Sequence, residues 1–255
     1  MNIPLTPVRC LYRAVDLYSH KEGVISGEAR YSYGQFGERC ERLAAGLGTE
    51  GVQPGDRVAF LSFNTNQLLE GYYAAPLIRA MVMPLNVRLT PPELTEILNH
   101  AEPRILIFEN DFAPLVAAFH KFCPSIQRYV SIDAPISQAE IVYDELLSRG
   151  RLDRPDIFTF DENEIAELFY TSGSTGTPKG VMLSHRTVYL HALAVTGSIT
   201  QNDKGVELHT IPLFHANGWG RPQTATMNGT KQVMVRRFDP TCVVPFIVEI
   251  GRAHV

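Results

Sequence analysis

A short stretch rich in glycine and hydroxyl side chains lies between two apolar runs. The stretch Thr171–Gly180 reads TSGSTGTPKG, and the runs Ile165–Tyr170 and Val181–Leu183 flank it as strands would. Glycine lets backbone N–H groups approach phosphate oxygens, and hydroxyls donate hydrogen bonds or bind Mg²⁺. A lysine at about 4 Å from a phosphate charge contributes roughly 4 kcal/mol at an effective dielectric constant of 20, before desolvation. The pattern predicts a loop that binds a polyanion.

A flexible linker is the alternative interpretation of this composition. Pro178 and Lys179 oppose it, because they are stiff and charged where a linker would be loose. The stretch also differs from the common nucleotide-triphosphatase signature, which needs G-x-x-x-x-G-K, then Ser or Thr, then a helix. Here Gly180 leads instead into a β-type run.

The string LFYTSGSTGTPKGVMLSHR, Leu168–Arg186, resembles the phosphate-loop signature of the adenylate-forming, or AMP-binding, superfamily. Within it the chain is most similar to long-chain fatty-acyl-CoA synthetases. The segments Pro54–Ala75, Met81–Leu94 and Ile211–Pro222 resemble those that flank the loop in acyl-CoA synthetases. The resemblance runs from about Tyr12 to about Val248.

The resemblance implies that ATP activates a carboxylic acid, here a fatty acid, to acyl-AMP, and that CoA then accepts the acyl group. Both steps gather negative charge, so catalysis would rest on positioning and electrostatic stabilisation. Lys179 would act on the β- and γ-phosphates, and Thr171 would help to hold Mg²⁺. The residues assigned to ATP are Thr171, Ser172, Gly173, Ser174, Thr175, Gly176 and Lys179.

A second candidate site is the segment FHANGW. By resemblance, His215 lies beside the acyl carboxylate and the reacting phosphate, and Ala216 and Trp219 bind the acid, with Trp219 at the gate of an acyl tunnel. From the residues alone, a packed aromatic pair at His215 and a core anchor at Trp219 remain open. In a tunnel each buried CH₂ group of the acid contributes about 0.8 kcal/mol to binding, so the affinity for the acid would rise with its chain length.

Composition excludes several other classes of protein. The net charge of −4 indicates neither a nucleic-acid surface nor a polybasic membrane surface. The first residues have no long apolar core, so we do not expect them to be a secretory signal, and the apolar stretch Gly71–Leu85 is too short to span a bilayer. No C-x-x-C pair indicates a disulfide framework or a zinc site, so we expect reduced thiols in a cytoplasmic protein. The cysteines are Cys10, Cys40, Cys123 and Cys242. A homodimer is expected from the resemblance alone.

Helical and strand patterns alternate along the chain. Ser32 and Gln35 predict a capped helix, Arg57–Phe63 a buried strand, and the run from Thr90 a second capped helix. This order predicts an α/β fold with a parallel sheet covered on both faces. The resemblance implies the stacked, helix-covered sheets of the large N-terminal domain of acyl-CoA synthetases, here truncated. The polar segment Ser148–Asp161 is the expected subdomain boundary.

Later motifs of the superfamily are not found after Val248: those for adenine, ribose, the hinge and the C-terminal lysine. We therefore expect residues 1–248 to be a partial AMP-binding domain that lacks full turnover alone and has poor stability. Residues 249–255 match a translated sequencing adapter and are expected to be a non-native tail. A non-catalytic nucleotide-binding fragment and an aryl- or short-chain-acid ligase remain alternative functions. Arg236 and Arg237 are interpreted as a surface pair without a role.

Overall fold

The computed structural model describes residues 3–171, 178–199 and 201–239. Its helices are α1 (Pro7–Tyr18), α2 (Tyr33–Thr49), α3 (Asn66–Leu77), α4 (Pro91–Ala101), α5 (Ala113–Phe119), α6 (Tyr143–Ser148), α7 (His185–Ser198) and α8 (Arg221–Met227). Its strands are β1 (Glu22–Ser26), β2 (Ala29–Ser32), β3 (Arg57–Leu61), β4 (Met81–Pro84), β5 (Ile105–Phe108), β6 (Arg128–Ser131), β7 (Ile141–Val142), β8 (Ile165–Thr171), β9 (Lys179–Ser184), β10 (Val206–His209) and β11 (Lys231–Met234). Short 3₁₀ turns span Asn110–Phe112, His120–Phe122, Ile157–Thr159 and Ala216–Gly220.

The described strands form two sheets. The larger sheet has the order β7-β6-β5-β3-β4-β8-β9, and the smaller has the order β10-β11-β1-β2. Strands β3 to β7 pair in parallel, as do β10, β11 and β1, which confirms the predicted parallel arrangement. The pairs β8–β9 and β1–β2 are antiparallel. Their connections are too short for the crossover that a parallel pair requires.

Local signals in the sequence set the ends of several helices. The capping box of Ser32 and Gln35 begins α2, as predicted. Thr90 and Glu93 form a second box at α4, where the Thr90 N–H donates to the Glu93 carboxylate at 2.8 Å. These caps satisfy N–H groups that the first turn of a helix leaves unpaired.

Side chains of the larger sheet alternate between two hydrophobic clusters. Val58 and Phe60 join the cluster under α1, α2 and α3, whereas Ala59 and Leu61 join the cluster under α4 and α5. Alternation along a strand sends successive side chains to opposite faces, so both faces are covered. This confirms the expected stacked α/β architecture.

The predicted boundary segment is attached to the first two helices. Arg154 forms two hydrogen bonds with Asp16 at 2.7 and 2.8 Å, and Arg151 donates to Glu41 at 2.6 Å. A subdomain boundary within 148–161 stays a prediction.

The buried His185 makes the free energy of unfolding depend on pH. It is fully buried, its Nδ1 lies 2.8 Å from Thr6 Oγ1, and its Nε2 has no hydrogen-bond partner. Burial lowers the pKa of His185 from 6.5 to about 4. Between these values the unfolded chain binds a proton and the folded chain does not, so stability falls as pH drops from about 6.5 to about 4. A shift of this size corresponds to roughly 3 kcal/mol.

We expect His185→Asn to reduce the loss of unfolding free energy between pH 7 and pH 4.5, as measured by urea denaturation. The amide nitrogen of asparagine can replace Nδ1 opposite Thr6, whereas the titration is removed. The exposed His20→Asn variant is the control and should keep the wild-type dependence. Equal acid sensitivity of His185→Asn and wild type would refute this account.

Candidate functional site

The carboxyl ends of strands from both sheets meet around one cavity of about 360 Å³. The segments after four strands line it. Phe63 and Asn64 follow β3, and Val87 and Arg88 follow β4. The other lining residues follow β10 (Thr210, Pro212 and Phe214) or β11 (Val235, Arg236, Arg237 and Phe238). In the larger sheet the chain runs from β3 to β4 on one side and then crosses to β5 on the other side of β3, so a topological switch point lies between β3 and β5, next to the segment after β3 that lines the cavity. Ligands of open α/β sheets bind at such crevices.

A buried amide holds the segment after β10 against the end of β3. Asn64 Nδ2 donates to the carbonyls of His209 at 2.9 Å and Ile211 at 3.0 Å, and Asn64 Oδ1 accepts from Leu213 N at 2.8 Å. Tyr72 Oη donates to the Leu213 carbonyl at 2.7 Å. The backbone that leads to His215 is thereby fixed at several points.

A charged network joins the ends of β5 and β11. The buried Glu109 carboxylate accepts from Ser62 Oγ at 2.9 Å, Phe63 N at 2.5 Å and Arg236 Nε at 2.8 Å. The guanidinium groups of Arg236 and Arg237 lie 4.8 and 4.4 Å from the Phe63 ring centre. Both arginines are exposed, as a surface pair should be, and both also have acidic partners, since each lies within 3.5 Å of the Asp111 carboxylate. Their partners are distant in sequence and gave no local signal.

His215 is exposed and lies just before the 3₁₀ turn Ala216–Gly220. Ala216 has φ of 44° although it carries a Cβ, and Gly218 and Gly220 in the same turn also have positive φ. A non-glycine residue in this region costs about 1–2 kcal/mol. Such strain at an exposed segment beside a cavity suggests a functional site.

A second cavity, of about 240 Å³, is lined in part by Ala216 and Gly220 of this turn. Its walls are mainly apolar, and at its inner end Gln223 Nε2 donates to Glu167 Oε1 at 2.7 Å, with both residues buried. The lining residues are Glu167, Leu183, Thr187, Val188, His191, Ala216, Gly220 and Gln223. Phe214 lines the first cavity and Ala216 lines the second, and His215 stands between these two residues in the sequence.

The predicted polyanion loop connects the two strands of a hairpin, as expected. Thr171 pairs with Lys179 at the open end of the β8–β9 ladder, and both residues are exposed. Thr171 is at the carboxyl end of β8, and Glu167 of the second cavity is on the same strand. The hairpin thus links the predicted phosphate site to the second cavity.

Several predicted site residues lie outside the described residues: Ser172, Gly173, Ser174, Thr175 and Gly176. Trp219 belongs to the 3₁₀ turn through its backbone, and its predicted role as a gate stays a prediction. Within the described ranges there is no group of three or more His, Cys, Asp or Glu side chains that could hold a metal ion. No described helix is both long enough and apolar enough to cross a membrane.

Sequence analysis missed Asn64, Glu109 and Gln223 as determinants of the site. Each is a buried polar residue. Buried polar residues need hydrogen-bond partners, but the partners of these three are distant in the chain, so no local signal in the sequence marked them.

Comparisons with known proteins agree with this architecture. A model of the AMP-binding enzyme family matches residues 11–251. A long-chain-fatty-acid–CoA ligase of Thermus thermophilus is 38% identical over 241 residues, and a peroxisomal butyrate–CoA ligase of Arabidopsis thaliana is 33% identical over 250 residues. Each alignment covers 92% of this chain but 44% of the relative, so the chain spans less than half the length of these curated relatives.

A solved structure of the N-terminal domain of FACL13 from Mycobacterium tuberculosis superposes with a TM-score of 0.87 at 25% identity. The match covers 96% of this chain and 60% of that one. The family model spans nearly the whole sequence, and this structural match covers the described fold. The chain therefore belongs to the family of AMP-binding enzymes.

Proposed function

We propose that the full-length protein carrying this chain is an acid–thiol ligase that uses ATP to join a carboxylic acid to CoA. The observation that carries the proposal is the segment around His215, in which Phe214 lines one cavity and Ala216 lines another, and the second cavity is also lined by Glu167 and Leu183 of the hairpin that leads to the polyanion-type loop. Family membership and the ligases among its relatives support it.

In the first proposed step a carboxylate oxygen attacks the α-phosphorus of ATP. The bond from that phosphorus to the β-phosphate oxygen breaks, and pyrophosphate leaves. Lys179 and the loop would stabilise the charge on the leaving group, and His215 would hydrogen-bond to the carboxylate or the α-phosphate. The reacting groups are then held together, which removes much of the entropic barrier.

In the second step the CoA thiol loses its proton and its sulfur attacks the acyl carbon. The acyl–oxygen bond breaks, and AMP leaves. The first cavity suits a phosphorylated cosubstrate that carries an adenine, because it combines Arg88 and Arg237 with Phe63 and Phe238. We therefore assign CoA to this cavity.

One described residue of the proposed phosphate site, Thr171, could serve as a ligand of Mg²⁺. The Thr171 side chain is exposed and offers a hydroxyl oxygen, which is a donor type that Mg²⁺ accepts. When bound, the ion would neutralise phosphate charge.

The second cavity is the proposed acid site, and we propose a fatty acid as its ligand. A series of straight-chain acids and benzoate should therefore show activity that depends on chain length. A clear preference for benzoate would replace the fatty acid with an aryl acid.

We also propose a reducing, cytoplasmic location. Cys10, Cys40 and Cys123 are unpaired and buried, and burial raises the pKa of Cys10 to about 12 and that of Cys123 to about 11. Thiols of this kind are inert and persist where disulfides do not form. A homodimer stays a prediction.

The central test is acid-dependent exchange of labelled pyrophosphate into ATP by the full-length protein, followed by formation of acyl-CoA. Exchange that requires the acid supports the proposal. ATP binding without exchange for any acid would favour the non-catalytic alternative.

Lys179→Ala should slow the exchange about 10- to 100-fold, because the leaving pyrophosphate loses a positive charge. The exposed Lys204→Ala is the matched control, since Lys204 is in a turn before β10. An unchanged exchange rate in Lys179→Ala would refute the role of this lysine.

Ala216→Leu should raise the KM for the acid about tenfold and leave the KM for ATP unchanged, because the larger side chain would occupy the second cavity. Steady-state kinetics with one substrate varied at a time measure both values. The control is Ala117→Leu on the exposed face of α5. A parallel rise in the KM for ATP would indicate general damage instead.

A further inference from the structure

The part of β8 that leads into the phosphate loop has few neighbours in its sheet. In the ranges that the structure describes, Val82↔Glu167 is the single ladder pair between β4 and β8. Residues 168–171 therefore extend beyond the parallel ladder and pair with β9 alone. Leu168 and Phe169 are buried, whereas Thr171 and Lys179 at the open end of the hairpin are exposed. The orientation of Thr171 and Lys179 thus depends on further contacts.

His100 supplies such a contact. Its Nδ1 lies 2.5 Å from Tyr170 Oη, and the two rings meet edge to face with their centres 5.8 Å apart. Tyr170 immediately precedes Thr171 on β8. Partial burial raises the pKa of Tyr170, so the phenol is protonated at neutral pH and can form the hydrogen bond.

The helix end that carries His100 is fixed by the sheet. Arg57 on β3 donates from Nε to the Ala101 carbonyl and from Nη2 to the Glu102 carbonyl, both at 2.6 Å. These bonds satisfy carbonyls that the last turn of α4 leaves unpaired. His100 therefore projects from a support that is tied directly to β3.

Gly180 gives the Tyr170 ring its place on the hairpin. The two residues are paired across β8 and β9. A Cβ at Gly180 would lie 3.4 Å from Tyr170 Cζ and 3.5 Å from Tyr170 Oη, which is ordinary van der Waals contact. The Tyr170 ring therefore lies over Gly180, on the face of the hairpin where it meets His100.

We infer that His100 is a positioning residue for the phosphate loop, acting through Tyr170 on Thr171 and Lys179. The inference rests on the proposed function, because it assumes that the loop binds the phosphates of ATP. Displacement of Tyr170 moves Thr171 through the backbone and Lys179 through the ladder pair. A shift of about 1 Å at such a group can reduce catalysis by as much as about 100-fold.

The test uses the full-length protein with His100→Leu, Tyr170→Phe and the double variant. Each should raise the KM for ATP about 5- to 20-fold and leave the KM for the acid unchanged, and the double variant should be no worse than either single variant. His100→Asn should restore the wild-type value, because its side-chain amide offers both a donor and an acceptor and can therefore replace Nδ1 opposite the phenol. Equilibrium binding of ATP is measured in parallel.

His120→Leu is the matched control. His120 is also exposed and also packs on a tyrosine, with its ring centre 4.3 Å from that of Tyr129, but this pair is beside β6 and away from the hairpin. It should leave the KM for ATP unchanged at a similar melting temperature.

Four outcomes would overturn the inference: an unchanged KM for ATP in His100→Leu, an equal rise for ATP and acid, the same effect in His120→Leu, or no rescue by His100→Asn. Failure of the proposed function looks different. In that case wild type shows no acid-dependent exchange, while the dependence of ATP binding on His100 still decides the role of this residue.

Discussion

The amide of Asn64 connects the two sheets at the point where the candidate site lies. It is buried at the end of β3 and binds three backbone groups of the segment after β10. Removing it would leave those groups without their partner, at about 1–3 kcal/mol for each one that stays buried and unpaired. The position of His215 follows from this contact, because His215 is two residues beyond Leu213. The same segment lines both cavities, since Thr210, Pro212 and Phe214 line the first and Ala216 lines the second.

Polar contacts add to apolar packing where the carboxyl edges of the two sheets meet. Glu109 accepts from the end of β3 and from Arg236 after β11, so it joins both sheets through one carboxylate. A buried carboxylate is tolerated only where its oxygens are hydrogen-bonded, and here they are. The apolar clusters define the layers, whereas these directional contacts fix the relative position of the strand ends. A site assembled from several strand ends needs this second kind of constraint.

The sequence predicted most of the parallel strands and capped helices, because periodicity and capping are local signals. Ser32 and Gln35 illustrate this, since their capping box can be read within four residues. The antiparallel pairing of β1 with β2 and the short α6 were not predicted, since these elements are short and their pairing depends on tertiary contacts. For the site, the hairpin could be predicted from a motif, whereas the roles of His215 and Ala216 stay predictions. Asn64, Glu109 and Arg236 could not, because their partners are distant in the chain.

Strand β8 explains how the two proposed substrate sites can be coupled and yet respond differently. Glu167, in the acid cavity, and Thr171, at the loop, are four residues apart, which corresponds to about 13 Å along an extended strand. Glu167 is the residue that pairs with β4, so the acid end of β8 is held by the main sheet. Thr171 lies beyond that pair, at the end that Tyr170 and His100 hold. A loss of the His100 contact would therefore move the phosphate end of the strand and leave the acid end in place.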